Sequence, residues 1–361
     1  MDIQSLPKRV DKKRFNNALD AADFLVDHHG PNGEYNIKSM WGPEGRLYRG
    51  LSAWVLLDAY SLTGKKSYLS TAINLIEHFR RSELESGGWA MSLGENGIEF
   101  QISDEIRKDT ALYEDPPVTS TLLRAVALHE HIEGDGTYLE MAWKTFEHLK
   151  SIWDPEKGSF KEDSDSLLLK LRSNPNSYHL YFLLALAEYR QFQQEEVDKL
   201  LPKLVEFIKS TFEAYDEKAY PLMKANHMTA LMQISEISFV DRNYIKSEIR
   251  PRLDKLTHNS IFNVVNNPGA YGHHDGVRGI VTNEAHIRNS CGVALAMKTY
   301  DRVMDTNVYT STERYSEISS FIDSMKAEKG YYEYLKADLG EKRGKGSAGQ
   351  FIPCWWIFGK I

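Results

Sequence analysis

LYRGLSAWVLLDAYSLTGKKSYLSTAINLIEHFRR, residues 47–81, holds two helices of different character joined by a glycine turn. Leu47 to Ser61 is apolar nearly all round, as a buried helix is. Gly64 turns the chain, and Ser67 to Arg81 returns with apolar residues at intervals of three and four and a charged opposite face. The pair predicts a helical hairpin whose first member is enclosed by protein and whose second faces water on one side.

The same order recurs along the chain. Pro117–Glu130 pairs with Tyr138–Ile152, Ser177–Tyr189 with Val197–Phe212, Asn226–Ile237 with Tyr244–Leu256, and Asn283–Val303 with Ser311–Met325. An amphipathic helix at Asp11–His29 and an apolar one at Ser347–Phe358 complete twelve helical segments. The helices beginning near 47, 117, 177, 226, 283 and 347 are uniformly apolar, and those between them carry charged faces. This alternation predicts an inner and an outer ring. Turns from inner to outer helices are short (LTGKKS, IEGDGT, VDRN), whereas the return loops are long and rich in Gly, Trp, Tyr, Asn and His. Long loops therefore gather at the end where inner helices begin. No strand-rich block interrupts the pattern, with short hairpins left open for the 87–113 loop.

Composition narrows the class. The chain has 361 residues, 42% hydrophobic and 11% aromatic, enough for a sizeable core. Lys and Arg total 44 against 51 Asp and Glu, a net charge of −7 with the signs interspersed, so no basic footprint for nucleic acid or anionic lipid is present. No run approaches the length of a membrane span and the N-terminus lacks an apolar signal region. Two cysteines, Cys291 and Cys354, fit a reducing compartment rather than a disulfide framework. The expectation is a cytoplasmic protein without nucleic-acid or membrane partners, its oligomeric state open.

The architecture and the hairpin phrase LTGKKSYLSTAINLIEHF, followed by Gly87-Gly88-Trp89, resemble the (α/α)6 barrel, or toroid, of many glycosidases, polysaccharide lyases, sugar epimerases and terpenoid cyclases. The resemblance covers residues 1–361 as one domain and implies an all-α fold of six helical hairpins. In such a barrel the first turns of the inner helices surround a common cavity. They offer Tyr48 and Arg49, Asp115 and Thr119, Asn176, Tyr178 and His179, Asn226 and His227, Glu284, His286 and Arg288, and Gln350.

The densest chemistry lies in Asn263–Asn289, NVVNNPGAYGHHDGVRGIVTNEAHIRN. It crowds Tyr271, His273, His274, Asp275, Arg278, Glu284, His286 and Arg288 among glycines that allow tight bends. A loop this long inside a compact domain is usually functional or disordered, and its aromatic and branched residues argue against disorder. Each residue also has a bland explanation. Asp115 before Pro116-Pro117 suits a helix N-cap. Glu284 and Arg288, four apart, suit an ordinary helical ion pair. His273, His274, Asp275 and His286 lack HExxH spacing, so the expectation is no metal and no cofactor, with zinc held by three or four of those residues as the alternative.

Two carboxylates are the usual equipment for glycoside hydrolysis, and Asp115 with Asp275 or Glu284 supplies such a pair. Proton abstraction beside a uronate carboxylate instead wants a Tyr or His acid and base, with Asn or Arg holding the anion. Tyr178-His179, Asn226-His227, Tyr271, Arg278 and Arg288 fit that set better. Asn226-His227 with downstream Tyr and Arg is similar to toroid-type uronate lyases, and GGWAMSL at 87–93 is similar to uronyl epimerases. Asp115-Pro116-Pro117-Val118-Thr119 looks like the acid-bearing segment of class II terpenoid cyclases, without their DxDD run.

The sequence therefore predicts a carbohydrate-active enzyme of the uronate lyase or epimerase type, acting on an oligosaccharide with an acidic sugar. Proton transfer is expected from His227, Tyr271, His274, His179 or Asp115. Substrate contacts are expected from Asn226, Arg278, Arg288, Glu284, His286, Tyr178, Arg49 and Trp89. A glycosidase, a terpenoid cyclase with Asp115 as acid, and a non-catalytic saccharide binder are the alternatives.

Overall fold

A computed structural model describes residues 12–33, 38–39, 42–43, 46–81, 116–160, 176–213, 221–275, 279–345 and 347–358. Among these are twelve helical segments, close to those expected: α1 Lys12–His28, α2 Arg46–Thr63, α3 Lys66–Arg80, α4 Pro116–Glu133, α5 Leu139–Ser151, α6 Asn176–Tyr189, α7 Gln194–Glu213, α8 Pro221–Ser235, α9, α10 Ile287–Met304, α11 Glu313–Ser324 and α12 Ser347–Phe358. The ninth runs in three pieces, Arg242–Tyr244, a π-turn Ile245–Ile249 and Arg250–His258. No helix among the described residues is long and apolar enough to cross a membrane.

The chain divides into two compact units, one of Leu25–Ile208 and one of Asp2–Phe24 with Lys209–Ile361. In the first, α4 packs between α2 and α6, with α3 backing α2 and α5 backing α4. The burial reproduces the sequence pattern. Every residue of α4 from Pro117 to Glu130 is buried, whereas α3 buries Tyr68, Leu69, Thr71, Ala72, Leu75, Ile76 and Phe79, one stripe at helical spacing. In the second unit, α8 lies along α10, and α10 also packs on α12 and α11. Here α1 meets α12. Phe15 stands edge-on to Phe358 at 5.6 Å, the Arg14 guanidinium covers Trp356 at 5.5 Å, and the Cys354 thiol donates to the Ala18 carbonyl at 3.4 Å.

Turns between inner and outer helices are held by buried acids. Glu130, at the end of α4, accepts from the backbone N–H groups of Tyr138 at 2.6 Å and Gly136 at 2.9 Å, which open α5. Asp301 does the same from α10, accepting from the N–H groups of Tyr309 and Thr310 and from the hydroxyls of Thr306 and Thr310. A carboxylate near the C-terminal end of a helix is unfavourable for that helix. The next segment's N–H donors offset the cost.

His29, just after α1, is a buried neutral histidine. Its Nδ1–H donates to the Leu25 carbonyl at 2.6 Å, and burial pushes the imidazole from 6.5 down to about 4. Folding thus disfavours the charged form. The histidine's contribution to stability is complete above pH 6.5 and is lost as the pH falls toward 4. Over that interval the parent is expected to lose on the order of 2–3 kcal/mol more than His29→Gln, measured by urea unfolding at each pH.

The return loops depart from expectation. Nine short strands appear among the described residues; the first four are β1 Lys38–Ser39, β2 Gly42–Pro43, β3 Trp153–Asp154 and β4 Ser159–Phe160, and the other five lie in and beyond the histidine-rich stretch. β5 His273–Asp275 pairs with β6 Gly279–Val281, and β7 Glu284–His286 joins β8 Tyr334–Lys336 and β9 Glu341–Arg343 in an antiparallel sheet. Consequently α10 begins at Ile287 rather than at Asn283, and β8 and β9 lie within the stretch expected to be a loop before the last helix. The partners of β7 lie some fifty residues downstream, beyond the reach of local periodicity. The α8 helix also starts earlier than expected, at Pro221, so Asn226 and His227 belong to its second turn.

Candidate functional site

The second unit assembles much of the expected chemistry around the start of α10. Short backbone bonds hold its pieces. The His286 N–H donates to the Tyr271 carbonyl at 3.0 Å, and the Ile287 N–H to the Glu333 carbonyl at 3.0 Å. Asn289, in the first turn of α10 and fully buried, donates its amide to the Gly272 carbonyl at 2.5 Å, and Ser290 donates to the Gly269 carbonyl at 2.9 Å. Gly272 permits this closeness, because a Cβ there would stand 2.0 Å from the Val281 carbonyl oxygen. A side chain at 272 would separate β5 from its neighbour.

On this support the rings of His273 and His286 sit 4.4 Å apart at 63°, and His286 stacks on Tyr334 at 5.5 Å. Both histidines are buried. One imidazole nitrogen of each and one Glu284 carboxylate oxygen lie within 4.8 Å of one another. Burial first, then the Arg288 charge and His273, pushes His286 down to about 2, so its imidazole is neutral at ordinary pH.

His227 on α8 is also fully buried. Its Nδ1 lies 2.8 Å from the Met223 carbonyl, which can only accept, so Nδ1 carries a proton and, in the neutral ring, Nε2 is left with the lone pair. The neighbouring Asn226 turns toward α10, its Oδ1 3.7 Å from where a Cβ on Gly292 would be. A pocket of about 380 Å³ opens beside Lys224 and Met228, on the face of α8 opposite Asn226, between Arg252, Lys255 and Phe212.

Two assignments change on this geometry. Tyr271, expected as a proton-transfer residue, is buried with its hydroxyl donating to the Leu256 carbonyl at 3.3 Å and accepting from Arg314 at 3.2 Å. Burial raises its phenol above the ordinary value, and its geometry is that of a loop anchor. Glu284 and Arg288 are not a helical i,i+4 pair, since Glu284 lies on β7 opposite Lys336 and Arg288 in the first turn of α10.

In the first unit, His179 on α6 accepts the Phe160 N–H at its Nε2, 3.2 Å away, within a box of Trp153, Phe160 and Phe207 rings. Arg49 on α2 is hydrogen-bonded to His78. Tyr178 on α6 and His274 and Asp275 on β5 are placed by their backbone alone. Asp115, Trp89 and Arg278 lie outside the described residues.

Sequence reasoning passed over Glu333, Tyr334 and Arg124. The alternation in YYEYL, residues 331–335, was the available signal for β8 and for Tyr334. Arg124 sits 3.2 Å over the Trp54 ring inside the first unit, and burial brings its guanidinium down to about 10. No local pattern marks an arginine inside an apolar helix as stacked.

No protein-family model matches the chain, and no curated protein matches it in sequence. Solved structures do match. Cellobiose 2-epimerase from Spirochaeta thermophila DSM 6192 aligns with a TM-score of 0.71 at 12% identity, over 98% of this chain and 98% of that one. A D-mannose isomerase aligns at 0.69 and 13% identity, over 98% and 99%. The alpha-1,6-mannanase of Salegentibacter sp. HEL1_6 aligns at 0.61 and 12%, over 96% and 98%. The fold is therefore the all-α (α/α)6 barrel of helical hairpins in inner and outer rings. At such identity the likeness speaks for fold alone, and chemistry has to come from the side chains.

Proposed function

We propose that the chain is a single-domain carbohydrate-active enzyme of the epimerase or isomerase type, in which His227 moves the proton. The observation that carries this reading is the bond of His227 Nδ1 to the Met223 carbonyl, which leaves Nε2 as the ring's other nitrogen. A neutral imidazole with its lone pair on Nε2 is equipped to take a proton from the carbon beside a sugar carbonyl. Support also comes from the full-length likeness to an epimerase and an isomerase whose names specify cellobiose and mannose. His274 is the proposed partner acid. Asn226, Arg278 and Arg288 would hold substrate oxygens, and a uronate carboxylate would suit the two arginines best.

A glycoside hydrolase using Asp115 with Asp275 or Glu284 is the second reading, favoured by the mannanase likeness. One experiment separates them. The protein is incubated in D2O with cellobiose, mannose, an α-1,6-mannan oligosaccharide and an oligouronate, followed by NMR, reducing ends and ultraviolet absorbance. Deuterium at the carbon beside the anomeric centre is the expected result. New reducing ends without exchange would replace the reading by hydrolysis, absorbance from a new C=C bond would replace it by elimination, and no change with any sugar would overturn it.

A further inference from the structure

His273, Glu284 and His286 reach one point from two strands. Successive side chains of a strand alternate faces, so Glu284 and His286, two apart on β7, share a face while Ala285 turns to the other and is fully buried. β5 runs beside β7 and brings His273 to the same place. The result is two nitrogens and one carboxylate oxygen, all within 4.8 Å of one another. Zinc bonds of about 2.0–2.2 Å in a tetrahedral arrangement bring ligand atoms to about 3.4 Å, a gap that small side-chain rotations close.

Several features suit this trio to a metal ion. Both rings are buried, 4% and 1% exposed, so a bound ion would be shielded from bulk water. The strands are pinned to α10 through Tyr271, Gly272, Ser290 and Glu333, so the ligands stand on paired backbone. Tyr334 stacks on His286 and limits its rotation. Arg288, within electrostatic reach of His286, opposes a cation, and the Glu284 carboxylate offsets it. Two imidazoles with one carboxylate favour zinc-like ions over calcium or magnesium, which prefer all-oxygen sites.

A second cluster, His129, Glu130 and Asp135, has one histidine and two acids. There the Glu130 oxygens accept from Gly136 and Tyr138, and an Asp135 oxygen accepts from the Thr137 N–H, so the acids serve the turn.

We propose that His273, Glu284 and His286 form a binding site for a divalent ion of the zinc class, with a fourth position open to water or to an oxygen of a bound molecule. Three protein ligands and one open position are the composition of catalytic rather than structural zinc sites. The site does not depend on the sugar reading, which rests on His227.

The test uses the full tag-free chain, stripped with a chelator and then dialysed against zinc chloride, with metal per chain counted by mass spectrometry. Cobalt(II) in place of zinc gives a visible absorption band from the ligand field. About one ion per chain is expected, with a cobalt band of four- or five-coordinate intensity. Glu284→Gln should weaken binding at least about tenfold and shift the band. His273→Ala and His286→Ala should abolish it. A buried histidine is risky to replace, so Glu284→Gln, at a partly exposed residue, decides, with circular dichroism checking its fold. No zinc retained by the parent, or an unchanged affinity and band in Glu284→Gln, overturns the proposal. Sugar turnover that fails while zinc is retained would sink only the sugar reading, and the converse result would sink only the metal site.

Discussion

Replacing His227 by glutamine is expected to lower kcat about 10²- to 10⁴-fold on whichever sugar undergoes exchange, the range a positioned general base contributes. KM should stay close to that of the parent, because the imidazole acts on a proton in the transition state and is not asked to hold the sugar. Glutamine preserves a side-chain amide that can donate to the Met223 carbonyl, the bond His227 makes at 2.8 Å, and it approximates the volume of a fully buried residue. The unfolding midpoint should therefore move little. A variant that turns over at the parent's rate would remove His227 from the mechanism. A loss confined to KM would instead make it a contact that binds sugar without moving a proton.

The largest stability effect should come from Asp301→Ala. This buried carboxylate, 3% exposed, accepts from Thr310 N–H and hydroxyl at 2.7 Å each, from the Tyr309 N–H at 3.1 Å and from the Thr306 hydroxyl at 3.0 Å. Each donor stranded in the interior costs about 1–3 kcal/mol, and partial rehydration of the turn keeps the sum near 3–5 kcal/mol. Tyr309 also reaches outward, donating to Asp254 at 2.5 Å, so the turn couples α10, α11 and α9. Urea unfolding of Asp301→Ala and Asp301→Asn measures this. Asparagine keeps one carbonyl acceptor and should recover part of the loss, whereas equal stability of all three proteins would show that the turn stands without the acid.

The rings of helices were legible because their cause is local. A helix enclosed on all sides, such as α4, must be apolar at every position. One that faces water, such as α3, needs only a stripe, and that difference is written within fifteen consecutive residues. The histidine-rich stretch was legible as a site for a similar reason, since glycines and ionisable residues crowd there. Its internal order was not. The residues that define β7 are three in number, and their partners are Tyr334–Lys336. Periodicity over three residues carries almost no signal, so helix α10 was expected to begin four residues early, and Glu284 was assigned to the wrong element.

Side-chain roles divided along the same line. Tyr271 fits the Tyr or His acid and base that proton abstraction beside a uronate wants, but the fold turns its hydroxyl inward to Leu256 and Arg314. His179 is expected among the proton-transfer residues from its place at the start of an inner helix, yet it accepts from Phe160 within an aromatic box. Neither outcome could be read from neighbours in the chain. The deciding atoms come from elements fifteen to more than forty residues away.

By itself the sequence determined which segments are helices and which of them are enclosed, because burial of a periodic apolar surface is decided residue by residue along each helix. Only the tertiary structure decided which nitrogen of His227 keeps its proton and that His273, Glu284 and His286 share a point, because a hydrogen-bond partner or a ligand geometry exists only once separate strands and helices are brought within a few ångströms.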